Sequence, residues 1–403
     1  MKGNPKILII SECFYPEQFK INDIAFNWSK QGYDVDVLTL IPTYPRGKVY
    51  PGYKNKLFSK EHINGVNIFR VHAVLGYTES KFKKILKYLN FMLLGGIVAI
   101  FIGKKYQHVF GFNLGALSDM LPAVIIRKVY KRPLTLWVQD LWPDSVYAYG
   151  FKKTKILSLV LNKFVKFIYH NVDNIAISSK GFESSLLNYV QTGKKIHYFP
   201  NWADNLNNEL ESIVLNHEKR VQFTFAGNLG KVQNLENIIN AYSLLPKSYL
   251  EKSQLNIIGD GSNLVYLKSI TSNNIPIVFH GGIQRDIISK YYKASDFLII
   301  SLINKPLFSL TVPAKLQTYI LANKPILAII NGETKEIVKN NCLGLYSDPD
   351  DTNAIMDLFK DCIKMPRKEY KNFLNNNNSL LNKVFNKKKI IRGLRHLVAH
   401  HEE

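Results

Sequence analysis

The feature that most constrains this chain is an alternation. Short, almost wholly apolar runs recur between longer segments of helical periodicity. A strand that is apolar on both faces needs cover on both faces, and helices between successive strands supply it. In the first half the strand runs are 6–11, 34–40, 67–71, 108–112, 134–138 and 174–178. Helices are expected over 22–30, 81–103, 116–129 and 155–169. The pattern restarts after Trp202, with strands expected at 221–226, 254–258, 277–280, 296–301 and 325–329. Between the halves, 203–220 is polar and reads as a linker. The fold class is therefore α/β, with two Rossmann-like domains over 1–200 and 205–380. The basic tail, 381–403, is expected to form a helix that crosses back to the first domain. A chain of 403 residues exceeds what one core organises, and an apolar content of 46% can fill two.

Fifty-three Lys and Arg against 31 Asp and Glu leave a net charge of +22. Such a surplus calls for a polyanionic partner: nucleic acid, anionic lipid headgroups or a pyrophosphate-bearing substrate. An AT-rich genome would enrich Lys, Asn and Ile anyway, which discounts part of the charge. No helix-turn-helix, zinc spacing or aromatic RNA-binding signature supports nucleic acid. Cys13, Cys342 and Cys362 are scattered, with neither a disulfide framework nor a metal spacing, as expected of a reducing compartment. Residues 1–5 run straight into the first strand without an apolar leader, so the expected location is the cytoplasm.

Residues 89–102 are nearly all apolar, with Lys81, Lys83, Lys84 and Lys87 before them and Lys104 and Lys105 after. The run is shorter than the roughly 20 residues a spanning helix needs. It reads as a buried helix of the first domain or as an interfacial segment. In the second reading Phe91, Met92, Leu93 and Leu94 dip into a bilayer, and Lys83, Lys84, Lys87, Lys104 and Lys105 meet anionic headgroups.

Three clusters carry chemistry, all at strand ends in the second half. Phe225-Ala-Gly-Asn-Leu-Gly-Lys-Val-Gln-Asn234 leaves a strand through a glycine turn toward a helix start near Asn234. Glycines let backbone approach an anion, and amides at a helix start can bind phosphate. Ile257-Ile-Gly-Asp-Gly-Ser262 repeats the theme with Gly259 and Gly261. Each alone reads equally as an ordinary strand-to-helix turn. In Phe308-Ser-Leu-Thr-Val-Pro-Ala-Lys-Leu-Gln-Thr-Tyr319, Thr311 is the expected N-cap and Pro313 suits the first turn. Lys315 then opposes the helix dipole, a conflict that a bound anion removes; the bland reading is a lysine extending into water. Three such loops in one parallel-sheet domain are the arrangement that holds nucleotides.

Together these segments resemble glycosyltransferase family 4, nearest to bacterial O-antigen and capsule enzymes of the N-acetyl-L-fucosamine transferase type. The likeness spans nearly the whole chain. It rests on Phe14-Tyr-Pro-Glu-Gln-Phe-Lys-Ile-Asn-Asp-Ile24, Pro42-Thr-Tyr-Pro-Arg-Gly47, Leu136-Trp-Val-Gln-Asp-Leu-Trp-Pro-Asp-Ser145 and Phe199-Pro-Asn-Trp202. Ala226-Gly-Asn-Leu-Gly230, Thr311-Val-Pro-Ala-Lys315 and Ala322-Asn-Lys-Pro-Ile326 complete it. The resemblance implies a GT-B fold, two Rossmann-like domains facing a cleft, and metal-independent, retaining transfer with no cofactor. It implies a UDP-sugar donor in the second domain and a polyprenyl-diphosphate-linked acceptor in the first. An anionic membrane surface is then a partner, nucleic acid is not, and the protein sits peripherally at the inner face of the plasma membrane.

The departures are specific. Leu310 and Thr318 stand where many members carry a pair of glutamates, so Thr318 or Gln317 would hold the ribose. Asn228 and Gln233 replace a usual Arg and Lys, and Gln18-Phe-Lys-Ile21 replaces a Gly-Gly pair. The resemblance therefore assigns diphosphate charge to Lys231 and Lys315, and donor contacts to Gln139, Asn201, Gly227, Asn228, Gln233, Gly259, Gly261, Thr311, Val312, Pro313, Gln317 and Thr318. Asp23 and Asp140 are acidic groups at cleft positions, each readable equally as an N-cap. Gln139 replaces a histidine that lies near the donor's 6-hydroxyl in many members. With Trp137, Leu141 and Trp142 beside it, an N-acetylated 6-deoxy sugar is expected. The competing readings are a sugar-nucleotide epimerase and a non-catalytic partner subunit.

Overall fold

The computed structural model describes residues 5–148, 150–203, 212–213, 215, 220–284 and 287–399. Most of the polar stretch 203–220 lies outside the described residues. The chain divides into two units, Met1–Pro200 with Lys388–Glu403, and Asn201–Lys387.

The first unit is built on an eight-stranded sheet. Its strands are β1 (Lys6–Ser11), β2 (Asp34–Leu40), β3 (Phe58–Ile63), β4 (Val66–Val71), β5 (His108–Asn113), β6 (Leu134–Val138), β7 (Asn174–Ile177) and β8 (Ile196–Tyr198). Their order is β3-β4-β2-β1-β5-β6-β7-β8, so the direction of winding reverses between β1 and β5. Every pairing is parallel except the β3–β4 hairpin. That hairpin turns through Asn64 and Gly65, both at positive φ, the geometry that matches strand twist. Ile7 to Ile10 are fully buried, as a central strand covered on both faces requires. Each such side chain contributes about 1.5–3 kcal/mol of transfer free energy.

Helices α1 (Lys20–Lys30), α2 (Lys81–Asn90), α3 (Gly96–Ile102), α4 (Leu121–Tyr130), α5 (Asp144–Ala148) and α6 (Lys155–His170) cover this sheet. A π turn, Phe91–Gly95, joins α2 to α3 without a break. The continuous helix, Phe82–Lys105, has 24 residues and is long and apolar enough to cross a membrane. The expectation that this segment is too short is therefore corrected, because lysine-bearing turns extend the apolar run at both ends. Part of it is nonetheless committed to protein. A Cβ on Gly95, Gly96 or Gly103 would lie 3.1, 2.9 or 2.8 Å from Pro122, Ile125 or Ile126, so glycine lets α3 press against α4. Phe91 and Lys87, both expected to face lipid, are buried, and Lys105 reaches Asp36 at 3.1 Å. Lys83, Leu93 and Lys104 are exposed, and Lys84, Met92 and Leu94 are half-buried.

The C-terminal helix, Lys387–Ala399, packs on the first unit. Trp28 Nε1 donates to Ile391 O at 3.3 Å, Asn174 Nδ2 donates to Leu397 O at 3.0 Å, and Gly393 admits the Phe199 ring.

The second unit has six parallel strands, β9 (Val221–Ala226), β10 (Ser253–Ile258), β11 (Ile277–Gly281), β12 (Phe297–Ser301), β13 (Ile326–Ile329) and β14 (Gly344–Ser347). Their order, β11-β10-β9-β12-β13-β14, reverses between β9 and β12. Phe223 anchors the core beneath this point, with Phe359 edge-on at 4.9 Å and Phe297 stacked at 5.5 Å.

Candidate functional site

In the second unit, loops leaving β9, β10 and β11 converge beside the reversal point, where open parallel sheets hold ligands. With the start of the Lys315–Leu321 helix they enclose a cavity of about 420 Å³. Gly227 and Asn228 follow β9, Gly259 and Asp260 follow β10, and Gly282 and Ile283 follow β11. Ile288 and Tyr292 form a further wall, and Ala314, Lys315 and Thr318 close the other side.

The loops nest because two positions lack a side chain. A Cβ on Gly259 would sit 1.8 Å from Gly227 O, and one on Gly261 would sit 2.7 Å from the Leu229 backbone. Gly227 and Gly259 have φ of +145° and +140°, a region other residues rarely adopt. Backbone hydrogen bonds lock the arrangement. Gly227 N–H donates to Ile258 O at 2.9 Å, Leu229 N–H to Asp260 O at 2.9 Å, and Gly259 N–H to Gly281 O at 2.7 Å. The glycine amides at 227 and 259, expected to hold an anion, are thus spent on holding the loops together.

Positive charge falls to a side chain instead. Among the described residues that line the cavity, Lys315 is the one cation. Its stem crosses Gly227, where a Cβ would lie 2.5 Å from Cε, and its Nζ stands 3.6 Å from the centroid of the buried Phe225 ring. Burial pulls its pKa down to about 7, with no compensating carboxylate paired to it among the described residues. An amine in this state gains charge, solvation and a hydrogen bond when an anion arrives.

The local capping differs from expectation. Ala314 caps the Lys315–Leu321 helix with no side-chain bond. Thr311 closes the preceding helix, Pro306–Leu310, its hydroxyl donating to Leu307 O at 2.9 Å. Thr311, Val312 and Pro313 do not line the cavity. Gln317 is buried on the inner side of its helix, which leaves Thr318, one residue on, as the side chain facing the cavity. Gly261 serves loop packing; Asn201 is half-buried and outside the lining. Lys231 is exposed in the turn Lys231–Gln233, and Gln233 Oε1 accepts from Gly230 N–H at 3.2 Å; neither reaches the lining. Leu310 is likewise absent from it.

The remaining expected site residues belong to the first unit. Asp23 lies in the first turn of α1. Gln139, just past β6, donates its N–H to Asn113 O at 3.0 Å. Asp140 Oδ1 accepts from Leu141 N–H at 3.0 Å, and burial raises its pKa to about 6 despite a Ser145 hydrogen bond. Trp137 and Leu141, expected to face a sugar methyl, are core residues, and of that trio Trp142 alone keeps partial exposure.

Asp260, Gly282, Ile283, Ile288 and Tyr292 were not singled out from sequence. The carboxyl end of β11 was readable, because all three strands ending at the cavity belong to one parallel sheet. A lone Gly-Gly pair after a strand carried no independent signal.

Residues 186–379 match the family described as glycosyl transferases group 1, a stretch containing every wall of the cavity. The probable glycosyltransferase WbjE of Pseudomonas aeruginosa is 26% identical over 247 residues, 57% of this chain and 60% of WbjE. The chain spans about six-tenths of the length of the first curated relatives it matches. Among solved structures, Anabaena HepE in complex with UDP superposes with a TM-score of 0.66 at 13% identity, covering 97% of this chain and 99% of HepE. WaaG, a glycosyltransferase involved in lipopolysaccharide biosynthesis, superposes with a TM-score of 0.67 at 12% identity, covering 98% of this chain and all of WaaG. The fold is GT-B, and the second unit is similar to the glycosyl transferases group 1 family over the matched residues.

Proposed function

We propose that the chain transfers a sugar, with retention, from a UDP-sugar to a polyprenyl-diphosphate-linked glycan in bacterial surface-polysaccharide assembly. The observation that carries this reading is Lys315, a buried lysine with no counter-charge among the described residues, at a nucleotide-sized cavity inside the stretch that matches glycosyl transferases group 1. A diphosphate bound there takes the place of the missing carboxylate. As the bond between the anomeric carbon and the phosphate oxygen breaks, negative charge builds on the phosphate. Lys315 stabilises that charge more than the ground state, which lowers the barrier. The acceptor oxygen bonds to the same face of the anomeric carbon, and its proton passes to the departing phosphate. Thr318 and Asp260 offer hydrogen-bond partners to donor hydroxyls, while Ile283, Ile288 and Tyr292 supply apolar wall. The reading needs no metal and no cofactor beyond the donor.

The first unit is assigned to the acceptor, with Asp23 and Asp140 as its acidic groups and the α2–α3 helix as a peripheral membrane contact on the cytoplasmic side. The donor sugar is assigned as 6-deoxy on the strength of Gln139 and as N-acetylated from the resemblance alone; the burial of Trp137 and Leu141 removes the apolar part of the 6-deoxy argument.

Thermal shift across a panel of UDP-sugars, followed by calorimetric titration of UDP, tests the reading. Lys315→Ala is expected to weaken UDP by roughly 10- to 150-fold, the worth of a charge-assisted hydrogen bond, in a protein that stays folded. Unchanged UDP affinity in the folded variant would remove Lys315 from the donor site.

A further inference from the structure

Helices that cover a sheet in a water-soluble unit turn apolar side chains inward and polar ones outward. Helix α1 obeys, burying Ile21, Ile24, Ala25 and Trp28 and leaving Lys20, Asp23, Asn27 and Lys30 less buried. Helix α6 does not. Ile156, Leu159 and Val160 occupy two adjoining turns at 78%, 58% and 57% exposure, and Phe167, two turns further, is also exposed. The helix has a neighbour with the same defect. On α2 and α3, Phe82, Leu93, Ile97 and Phe101 are exposed at 67%, 60%, 53% and 82%.

The two helices flank one another across α4. The glycines of α3 press on Pro122, Ile125 and Ile126 of α4, and Tyr130 of α4 donates its hydroxyl to Ile100 O. On its other side, α4 sets Lys128 Nζ 5.1 Å from the centroid of the Phe167 ring of α6. All three leave the carboxyl end of one parallel strand and return to the amino end of the next, so they run side by side in one direction. Their sequences, 81–105, 121–131 and 150–170, contain no Asp or Glu. Exposed lysines edge the apolar side chains: Lys83 and Lys104 on the first helix, Lys128 on the second, and Lys152, Lys153 and Lys163 at the third.

We propose that α6 is the second half of a lipid-docking face, which enters the headgroup region of an anionic phospholipid bilayer alongside α2–α3. The inference rests on the membrane reading given above and extends it from one helix to a three-helix face. Charge selects the occupant. A face with inserted aliphatic and aromatic side chains and a border rich in lysine, where Glu79 beside Lys83 and the Arg127-paired Asp173 are outnumbered, fits phosphate headgroups above acyl chains. A second copy of the same face would bring lysine against lysine. Two parallel contacts on one face also fix the unit against rolling on the membrane, which a single helix cannot do.

The test is sedimentation of the full-length chain with vesicles of phosphatidylglycerol and phosphatidylethanolamine, with phosphatidylcholine vesicles as the neutral control. Two triple variants at exposed positions are compared: Ile156→Ser with Leu159→Ser and Val160→Ser on α6, and Leu93→Ser with Ile97→Ser and Phe101→Ser on the π turn and α3. Circular dichroism and UDP affinity verify that each is folded. Each triple variant is expected to lower partitioning into anionic vesicles at least tenfold. An environment-sensitive dye on Leu159→Cys is expected to shift to the blue when those vesicles are added. If the α6 variant binds like the parent while the α3 variant is lost, this inference fails and the single-helix reading survives. If the unmodified chain binds no vesicle, both fail. If the α6 variant instead converts a dimer to a monomer with vesicle binding intact, the face belongs to a second copy and the inference is overturned.

Discussion

Each sheet has a buried lysine beside the carboxyl ends of its central strands, and the two are handled in opposite ways. Lys87 of the first unit pairs with Glu12, the residue after β1, and lies 4.0 Å from the centroid of the Tyr77 ring. Burial works against its charge, but Glu12, together with Cys13 and Tyr77, holds its pKa well above the ordinary value. Around them, burial and then Glu12 push both the Cys13 thiol and the Asp119 carboxyl upward, so both keep their protons. Glu12, Cys13, Lys87 and Asp119 are each no more than 8% exposed, and the cluster is electrically closed. Lys315 is also desolvated, and among the described residues nothing offsets it. The difference teaches how to separate a structural lysine from a binding one. Where an internal carboxylate answers the cost of burial, removing the lysine breaks the fold; where none does, the answer is left to a ligand.

The largest expected effect breaks the comparison at its structural side. Lys87→Met should cost about 3–5 kcal/mol of stability in urea denaturation, because it strands the Glu12 charge in a sealed site. Lys315→Met removes an uncompensated buried amine and should leave stability unchanged or raise it. Adding Glu12→Gln to Lys87→Met should recover most of the loss. Equal costs for the two lysine variants would show that both are merely packed, and the distinction would collapse.

The loops offer a second contrast of the same form. Gly259→Ala puts a methyl group 1.8 Å from Gly227 O at φ +140° and should weaken UDP binding by about 2–4 kcal/mol as the nested loops separate. Gly52, in the first unit, has φ +84° with nothing within 4 Å of the added atom. Gly52→Ala should cost about 1–2 kcal/mol of stability, the backbone term alone, and leave UDP affinity untouched. Titration of both variants with UDP checks this; a Gly259→Ala protein that binds like the parent would mean the loops are free to part.

Much of this architecture was legible because parallel strands covered on both faces write themselves as apolar runs. β3 was not, since Phe58–Ile63 alternates exposed with half-buried residues along a sheet edge; the Asn64-Gly65 pair beside it was the signal to read. β8 and β14 are short and incompletely buried, so neither leaves the continuous apolar run that marks the similarly short β7 and β13. Phe91 misleads because the apolar run 89–102 has no period to reveal its buried side and the π turn rotates its faces midway; Lys87 misleads because a lysine on an amphipathic helix reads as a surface residue unless its buried partner, Glu12, is in view. At the site, the glycine positions were readable as glycines, but their task was not. Whether a turn amide faces a ligand or a neighbouring loop depends on contacts between residues far apart in the chain, such as Gly227 with Ile258. Gln317 and Thr318 differ by one residue, which on a helix is about 100° of rotation and decides core against cavity.

The smallest effect is the most discriminating, because it reads the protonation of Lys315 directly. The free amine has its pKa near 7, and a bound diphosphate must raise it. Below pH 7 the amine is charged both before and after binding, so affinity gains nothing further from this group. Above pH 7 the free amine is neutral, and binding must draw a proton from solution. Affinity should therefore fall as pH rises, by up to about tenfold or ~1.4 kcal/mol per unit, until the bound-state pKa is reached. Calorimetry of UDP binding at pH 8.5, in buffers of differing ionisation enthalpy, should find an uptake approaching one proton per UDP. Lys315→Arg keeps its charge throughout and should bind with a flat profile; Lys315→Met should be flat and weak. Lys87 titrates far outside this range and contributes nothing to the slope. A parent protein whose UDP affinity is level from pH 6.5 to 9 would mean that Lys315 is already charged when empty, and the contrast between an answered and an unanswered lysine would lose its electrostatic basis.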